Sequence, residues 1–293
     1  MTTELILETP PDFNFKTAVY SHGWCQLLPF ELDLENWRLS YVFTGEKPFS
    51  ASIVENGGKI EIEISGGKIS RETKEKILRE VRHILRLDES FGEFYRLTKK
   101  EQRLNWIAAL HGGRLLRSPT VFEDLVKTLC TTNCSWGLTK NMTRNLVEKL
   151  GEESMGGKRT FPTAEAMANV SAEFYRDEIR AGYRSPYFAE LAEKVASGKL
   201  DPETWLDSDL PTKELKKEMK SVKGVGDYAA ENLLKLVGRY DGLALDSFLR
   251  GAFYKKHNSE QVCDDKKIEA FYEKFGSWRG LAIWCDMTEK WHD

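Results

Sequence analysis

The segment Leu215 to Ala230 holds the most chemically suggestive spacing in the chain. It reads Leu215-Lys216-Lys217-Glu218-Met219-Lys220-Ser221-Val222-Lys223-Gly224-Val225-Gly226-Asp227-Tyr228-Ala229-Ala230. A helix ends, two glycines allow a tight turn, and a second helix starts at Asp227. Glycine lacks a Cβ and accepts positive φ, so Gly224, Val225 and Gly226 can bring backbone close to a partner. The unpaired amides that open a helix form a nest for an anion such as a phosphate oxygen. Lys220 and Lys223 flank the turn. Residues 211–256 carry ten Lys or Arg against six Asp or Glu. A plain capping loop with two glycines explains the same local pattern. Asp246 follows about twenty residues after the second glycine and precedes Ser247-Phe248-Leu249-Arg250. It is placed as a helix N-cap, and a fixed carboxylate there can also stabilise a developing positive charge.

Global charge points the other way. The chain of 293 residues has a formal net charge of -3 and a pI of about 6.1. Read alone, that disfavours a strongly basic nucleic-acid binder. The five cysteines, Cys25, Cys130, Cys134, Cys263 and Cys285, are odd in number and scattered. They exclude a disulfide framework and favour a reducing compartment. His22, His83, His111, His257 and His292 show no ligand spacing, so no metal site built from side chains is expected. No stretch approaches the 18 or so apolar residues of a membrane span. Residues 1–11 carry acids and prolines, unlike a signal peptide. A cytoplasmic protein is expected, nucleoid-associated if the source is bacterial or archaeal.

Two kinds of element must position these residues. Before residue 100, Asn36-Trp37-Arg38-Leu39-Ser40-Tyr41-Val42-Phe43 and Lys59-Ile60-Glu61-Ile62-Glu63-Ile64 alternate at period two, with a further strand candidate at 49–54. A helix pattern follows at 72–85. From about residue 100 the strand signal stops. Helix-period segments run at 101–110, 121–132, 136–150, 186–197, 213–221, 227–237, 247–254, 266–275 and 278–289. The expected fold class is α+β: a small N-terminal antiparallel β-sheet domain over 1–100, then an all-α domain over 101–293. The helix–hairpin–helix falls at about 213–238.

Val222-Lys223-Gly224-Val225-Gly226, Ala229-Ala230 and Leu243-Ala244-Leu245-Asp246 together resemble the signature of the helix–hairpin–helix DNA glycosylase superfamily. That superfamily includes 8-oxoguanine DNA glycosylase, 3-methyladenine DNA glycosylase II and endonuclease III. Gly113-Arg114-Leu115-Leu116-Arg117, Leu129-Cys130-Thr131-Thr132-Asn133 and Gly182-Tyr183-Arg184-Ser185-Pro186-Tyr187 are similar to segments of the 8-oxoguanine branch. The resemblance implies base excision repair on double-stranded DNA containing a damaged base, by a monomer. It implies that the hairpin binds phosphates and that Asp246 performs excision. It further implies that Tyr183 wedges the duplex, that Arg184 contacts the unpaired opposite base, and that Asn133 faces the strand. A structural monovalent cation is implied on the carbonyls near Lys220, Val222 and Val225.

Departures from the family pattern narrow the chemistry. Bifunctional members carry a lysine just after the hairpin, where this chain has Tyr228. A phenol cannot form the Schiff base that lyase chemistry requires. A monofunctional enzyme is therefore expected, releasing the base by water. The branch's purine-reading glutamine and phenylalanine map to Ile283 and Met287, which offer no amide to an oxidised guanine. Its cytosine-reading arginine falls near Leu138. Aromatic candidates for the base pocket are Tyr228, Trp24, Trp284 and Trp278, with His22 beside Trp24. Trp24 and Trp284 fit a core role as well, His22 a structural one, and Tyr183 loop packing. Because an electron-rich aromatic pocket attracts a cation, an alkylated purine of the 3-methyladenine kind is the expected substrate. A deaminated or otherwise modified base stays open, as does a non-catalytic protein that grips DNA with the hairpin.

Overall fold

A computed structural model describes residues 2–65 and 69–292. Five strands form one antiparallel sheet: β1 (Thr2–Glu8), β2 (Glu31–Asp33), β3 (Arg38–Phe43), β4 (Phe49–Asn56) and β5 (Lys59–Ser65), in the order β1-β5-β4-β3-β2. The turn between β4 and β5 needs positive φ at Gly57 (59°) and Gly58 (79°), the geometry of a tight hairpin. Alternation in β5 puts Ile60, Ile62 and Ile64 in the core and the intervening charges in solvent. β3 and β5 match the two alternating segments, and β4 the further strand candidate. The sequence reading did not anticipate β1 and β2. β1 is an edge strand with Ile6 exposed, and β2 is only three residues long, so neither carries strong alternation.

Helices follow. The eight used below are α1 (Arg71–Ile84), α2 (Val121–Thr131), α3 (Trp136–Leu150), α4 (Ser185–Ala196), α5 (Thr212–Met219), α6 (Asp227–Leu236), α7 (Ser247–His257) and α8 (Arg279–Thr288). Short helices at Gly92–Thr98, Ala164–Ala168 and Ala172–Asp177 were not expected; they are too short to show a clear helical period. Local signals explain the starts of the main helices. Ser70, Thr120 and Ser135 each accept a hydrogen bond from the amide three residues on, capping α1, α2 and α3. Among the described residues, no helix is long and apolar enough to cross a membrane.

The apolar residues form two cores. The first joins the sheet, Ile77, Val81 and Ile84 of α1, and C-terminal residues including Leu236, Phe253 and Leu281. The second lies among α2, α3, α4, α5 and α6. The chain thus leaves the first core near Val121 and re-enters it at the end of α6.

A buried polar cluster marks that re-entry. Arg86 is 1% exposed and donates to the carbonyls of Lys235 and Leu236, both at 2.6 Å, and to Leu115 at 2.8 Å. Arg117 also donates to the Leu236 carbonyl. Glu89 pairs with Arg86 at 2.8 Å and with Arg117 at 2.6 Å. Two guanidinium groups therefore satisfy the carbonyls at the C-terminus of α6, where the helix dipole favours positive charge. Burial would raise the Glu89 carboxyl, but Arg86 and Arg117 outweigh it and hold it below the usual carboxylate range.

A depressed carboxyl contributes stability that is complete above its unfolded value and is lost as pH falls through its folded value. Glu89→Gln is expected to cost about 3 kcal/mol at pH 7, because two buried cations lose their partner. The variant should also show a weaker loss of stability on acidification below pH 4.5 than the parent. Urea denaturation across pH measures both; a change under about 0.5 kcal/mol at pH 7 would contradict the role given to Glu89.

Candidate active site and nucleic-acid interface

α6 organises the site because its two ends and one face all take part. Its buried side, Ala229, Ala230, Leu233 and Leu234, packs into the second core. The hairpin precedes it. Lys220 caps α5, and the Val225 amide donates to the Val222 carbonyl at 3.0 Å. Gly224 has φ of 90°, and a Cβ there would stand 2.5 Å from the Tyr187 ring. Gly226 departs from the expectation of positive φ: it sits at φ -87° with open space where a Cβ would be. Its value is exposure of backbone at the start of α6. The amides of Gly224 and Gly226 donate to no group among the described residues.

The flanking lysines are partly neutralised. Lys220 and Lys216 each lie 3.0 Å from Asp227, and Lys223 lies 3.3 Å from Glu190. The turn therefore offers an anion its unpaired backbone amides more than free lysines. The carbonyls of Lys220 and Val225 accept no hydrogen bond among the described residues, and that of Val222 accepts one. These oxygens have lone pairs to offer an alkali cation.

The second end of the site is the loop 240–246. Gly280 of α8 donates from its amide to the Tyr240 carbonyl at 2.6 Å, and a Cβ on Gly280 would meet the Gly242 carbonyl oxygen at 1.9 Å. Glycine is required for that approach. The loop then delivers Asp246 to the N-terminus of α7, where its Oδ1 accepts from the Leu249 amide at 2.8 Å. The other carboxylate oxygen has no hydrogen-bond partner among the described residues. N-cap and free carboxylate oxygen thus coexist on one residue.

Asp246 lines a cavity of about 680 Å³. The same cavity is lined by His22, Trp24, Tyr228 and Trp284, so five expected residues come together. Trp24 is 6% exposed and donates its indole N–H to Asp124 at 2.7 Å, which fixes the plane of the ring. Trp284 donates to the Ser21 carbonyl at 2.9 Å. His22 Nε2 lies 2.7 Å from the Leu116 carbonyl, so that nitrogen carries the proton and Nδ1 is an acceptor. Burial pushes the His22 imidazole down to about 4, despite the opposing carbonyl bond, so the ring is neutral at physiological pH. Burial and, second, the Asp246 charge raise the Tyr228 phenol above its ordinary value.

Two pocket expectations are corrected. Ile283 is fully buried in the first core, and Met287 packs against that core; neither lines the cavity. One helical residue turns the side chain by about 100°. Gly280 docks on the 240–242 backbone, Ile283 follows it inward, and Trp284 is left on the cavity side. Sequence reasoning also missed several lining residues. Asn232 and Lys235 lie four and seven residues after Tyr228, a spacing that places all three on one helix face. Phe248 and Trp291 stand partly exposed at the mouth, their ring centroids 6.2 Å apart. Trp136 carried no local signal; it reaches the cavity because Gly23 has no Cβ to block it.

The wedge candidates adjoin the cavity through the end of α2. Thr131 and Cys134 line the cavity, while the neighbouring Asn133 turns outward with φ of 46°. Tyr183 is 52% exposed, and its hydroxyl lies 3.4 Å from Asn133 Nδ2. Its ring meets Tyr187 edge-on at 6.0 Å, and Tyr187 is the side chain that packs on Gly224. Hairpin, wedge and cavity are therefore contiguous. Arg184 is corrected: it is 5% exposed, donates to the Leu129 carbonyl at 3.1 Å and also to the Thr132 carbonyl, and so caps the end of α2. Its guanidinium is spent on these carbonyls and the Thr132 hydroxyl, which leaves it little to offer an unpaired base.

No protein-family model matches the sequence, and no curated protein matches it. Solved structures do. A 3-methyladenine DNA glycosylase from Archaeoglobus fulgidus is similar at a TM-score of 0.77 with 18% identity, covering 98% of each chain. An 8-oxoguanine glycosylase/lyase from Clostridium acetobutylicum, solved with double-stranded DNA containing cytosine opposite 8-oxoG, gives 0.75 with 22% identity, covering 99% of this chain and 98% of that one. A 3-methyladenine DNA glycosylase from Schizosaccharomyces pombe, in complex with abasic DNA, gives 0.53 with 18% identity over 68% of this chain and 96% of that one. The chain has the fold of the helix–hairpin–helix DNA glycosylases, as the hairpin and Asp246 led one to expect.

The two hairpin glycines should respond differently to alanine. Gly224→Ala is expected to cost about 1–3 kcal/mol, through strain at positive φ and the contact with Tyr187. Gly226→Ala should cost less than about 1 kcal/mol, since its backbone suits any residue. Chemical denaturation of both variants measures the contrast; equal costs would contradict the geometry assigned to the turn.

Proposed function

We propose that this protein is a monofunctional DNA glycosylase that hydrolyses the N-glycosidic bond of a damaged purine extruded from duplex DNA. The observation that carries this reading is Asp246, held as an N-cap with a free carboxylate oxygen on an aromatic-walled cavity. Extruding a nucleotide costs a few kcal/mol of stacking and pairing. Tyr183 and Asn133 beside the cavity supply the groups to fill the gap, and the hairpin amides supply a grip on the strand. A monomer is sufficient for this arrangement, and the Lys220, Val222 and Val225 carbonyls would hold a monovalent cation that braces the turn.

As the glycosidic bond breaks, its electron pair leaves with the base and the sugar acquires oxocarbenium character. Asp246 stabilises that charge and orients water, which adds to C1′ and gives a proton to the free carboxylate oxygen. Tyr228 replaces the lysine that would otherwise attack the sugar, which supports hydrolysis without strand cleavage. The indoles of Trp24 and Trp284 support a purine, and by cation–π attraction an alkylated one. A second reading, a neutral deaminated or oxidised purine, is favoured by the Lys235 amine on the same wall.

Single-turnover excision on duplexes bearing a panel of damaged bases tests this. Asp246→Asn retains the cap, since asparagine is as good an N-cap, so the fold should hold while excision drops by about 100-fold or more. No covalent adduct should be trapped by borohydride. Release of no base from any duplex, or equal rates for the variant, would contradict the reading.

A further inference from the structure

Lys235 is an unusual wall for a pocket proposed to take a cation. It lies two helical turns beyond Tyr228 on the cavity face of α6 and is 2% exposed. Its ammonium makes one hydrogen bond, to the Leu243 carbonyl at 3.2 Å. An ammonium has three protons to donate, so two have no partner among the described residues. No described carboxylate comes within 4.0 Å. The nearby Glu231 is already engaged with Lys216 at 2.6 Å and with the Ala244 amide. Burying an ammonium with unsatisfied donors costs free energy, and a ligand that accepts from it recovers that cost.

We propose that Lys235 determines specificity by the charge of the extruded base: its ammonium repels a cationic alkylated purine and donates to a carbonyl oxygen of a neutral one. This rests on the glycosylase reading above and names the substrate class of that site. A deaminated purine, which gains a carbonyl where an amino group stood, has the right chemistry. The neutral His22 ring and the indoles of Trp24 and Trp284 then hold the flat faces and edges of the base, while Lys235 reads its carbonyl. Asp246, on the same cavity, is left to the sugar.

The groups facing Lys235 are Glu231 on its own helix, Asp246 before α7, Cys285 on α8 and His22 near the N-terminus. Burial lowers the lysine to about 8, keeps His22 near 4 and raises the Cys285 thiol to about 12. Lys235 therefore loses its charge in a window where His22 and Cys285 do not titrate.

The test compares single-turnover release of hypoxanthine and of 3-methyladenine by wild type and by Lys235→Met, which keeps the length of the side chain. Wild type should favour hypoxanthine. The variant should lose about 10- to 100-fold on hypoxanthine and gain on 3-methyladenine. In wild type, which avoids any folding defect, the hypoxanthine to 3-methyladenine ratio should fall as pH rises through about 8. A uniform loss on both bases in the variant, with a flat wild-type ratio, would show a structural lysine and overturn the inference alone. A borohydride-trapped adduct that disappears in Lys235→Met would make the amine a nucleophile and also overturn it. No release of any base by wild type would overturn the glycosylase reading and this inference with it.

Discussion

The site depends on the capping of α6 by Arg86 and Arg117. One helix carries the hairpin at its N-terminus, Tyr228, Asn232 and Lys235 on its cavity face, and second-core residues on its opposite side. Its C-terminal carbonyls end inside the protein, where water cannot satisfy them. Arg86 lies two residues past the end of α1, the helix that covers the sheet, so the cap also ties the N-terminal sheet to the helical part. Glu89 holds both guanidinium groups in place. A buried cluster of this kind is worth little net stability against an apolar substitute, yet it is costly to break. What it supplies here is orientation: it fixes how far α6 is rotated and where the chain turns toward Asp246.

The second constraint is close backbone packing at Gly280. It sets the loop 240–246 against α8, and from that contact Asp246 reaches the N-terminus of α7 while Trp284 faces the cavity. Cap and close approach together converge a carboxylate, an ammonium and a set of indoles on one hollow. The charges there are mixed: Asp246 suits a cation at the sugar, and Lys235 suits a neutral acceptor at the base. A single aromatic cage for a cationic base would need only the first. On the proposed reading, the hollow separates the chemistry of bond cleavage from that of base recognition.

Much of this was legible in the sequence. Asp246, Trp24, His22, Tyr228 and Trp284 were named from the motifs and the resemblance and do share the cavity, with the hairpin beside it, because each lies in or next to a segment whose backbone form is locally encoded. Contacts set by distant packing were not legible. Arg184 resembled a base-contacting arginine, but its packing under Leu129 and Thr132 is set by distant elements. Ile283 and Met287 were placed by register alone, which does not report helix rotation. Lys235 was counted as part of a local surplus of positive charge, although its spacing from Tyr228 marks it as a cavity residue. The net charge of -3 also takes on a different meaning: the lysines beside the hairpin are largely paired, so on the proposed reading the grip on phosphate falls to amides. Affinity for undamaged DNA should then be weak, with a shallow salt dependence, because few unpaired lysines displace counterions.

The measurement that bears most directly on the account is a structure of the protein bound to duplex DNA containing an abasic-site analogue. The account predicts a phosphate on the amides of Gly224 and Gly226, Tyr183 in the gap left by the extruded nucleotide, and the sugar C1′ position facing the free carboxylate oxygen of Asp246. A duplex bound elsewhere, or an extruded sugar that sits away from Asp246, would contradict it.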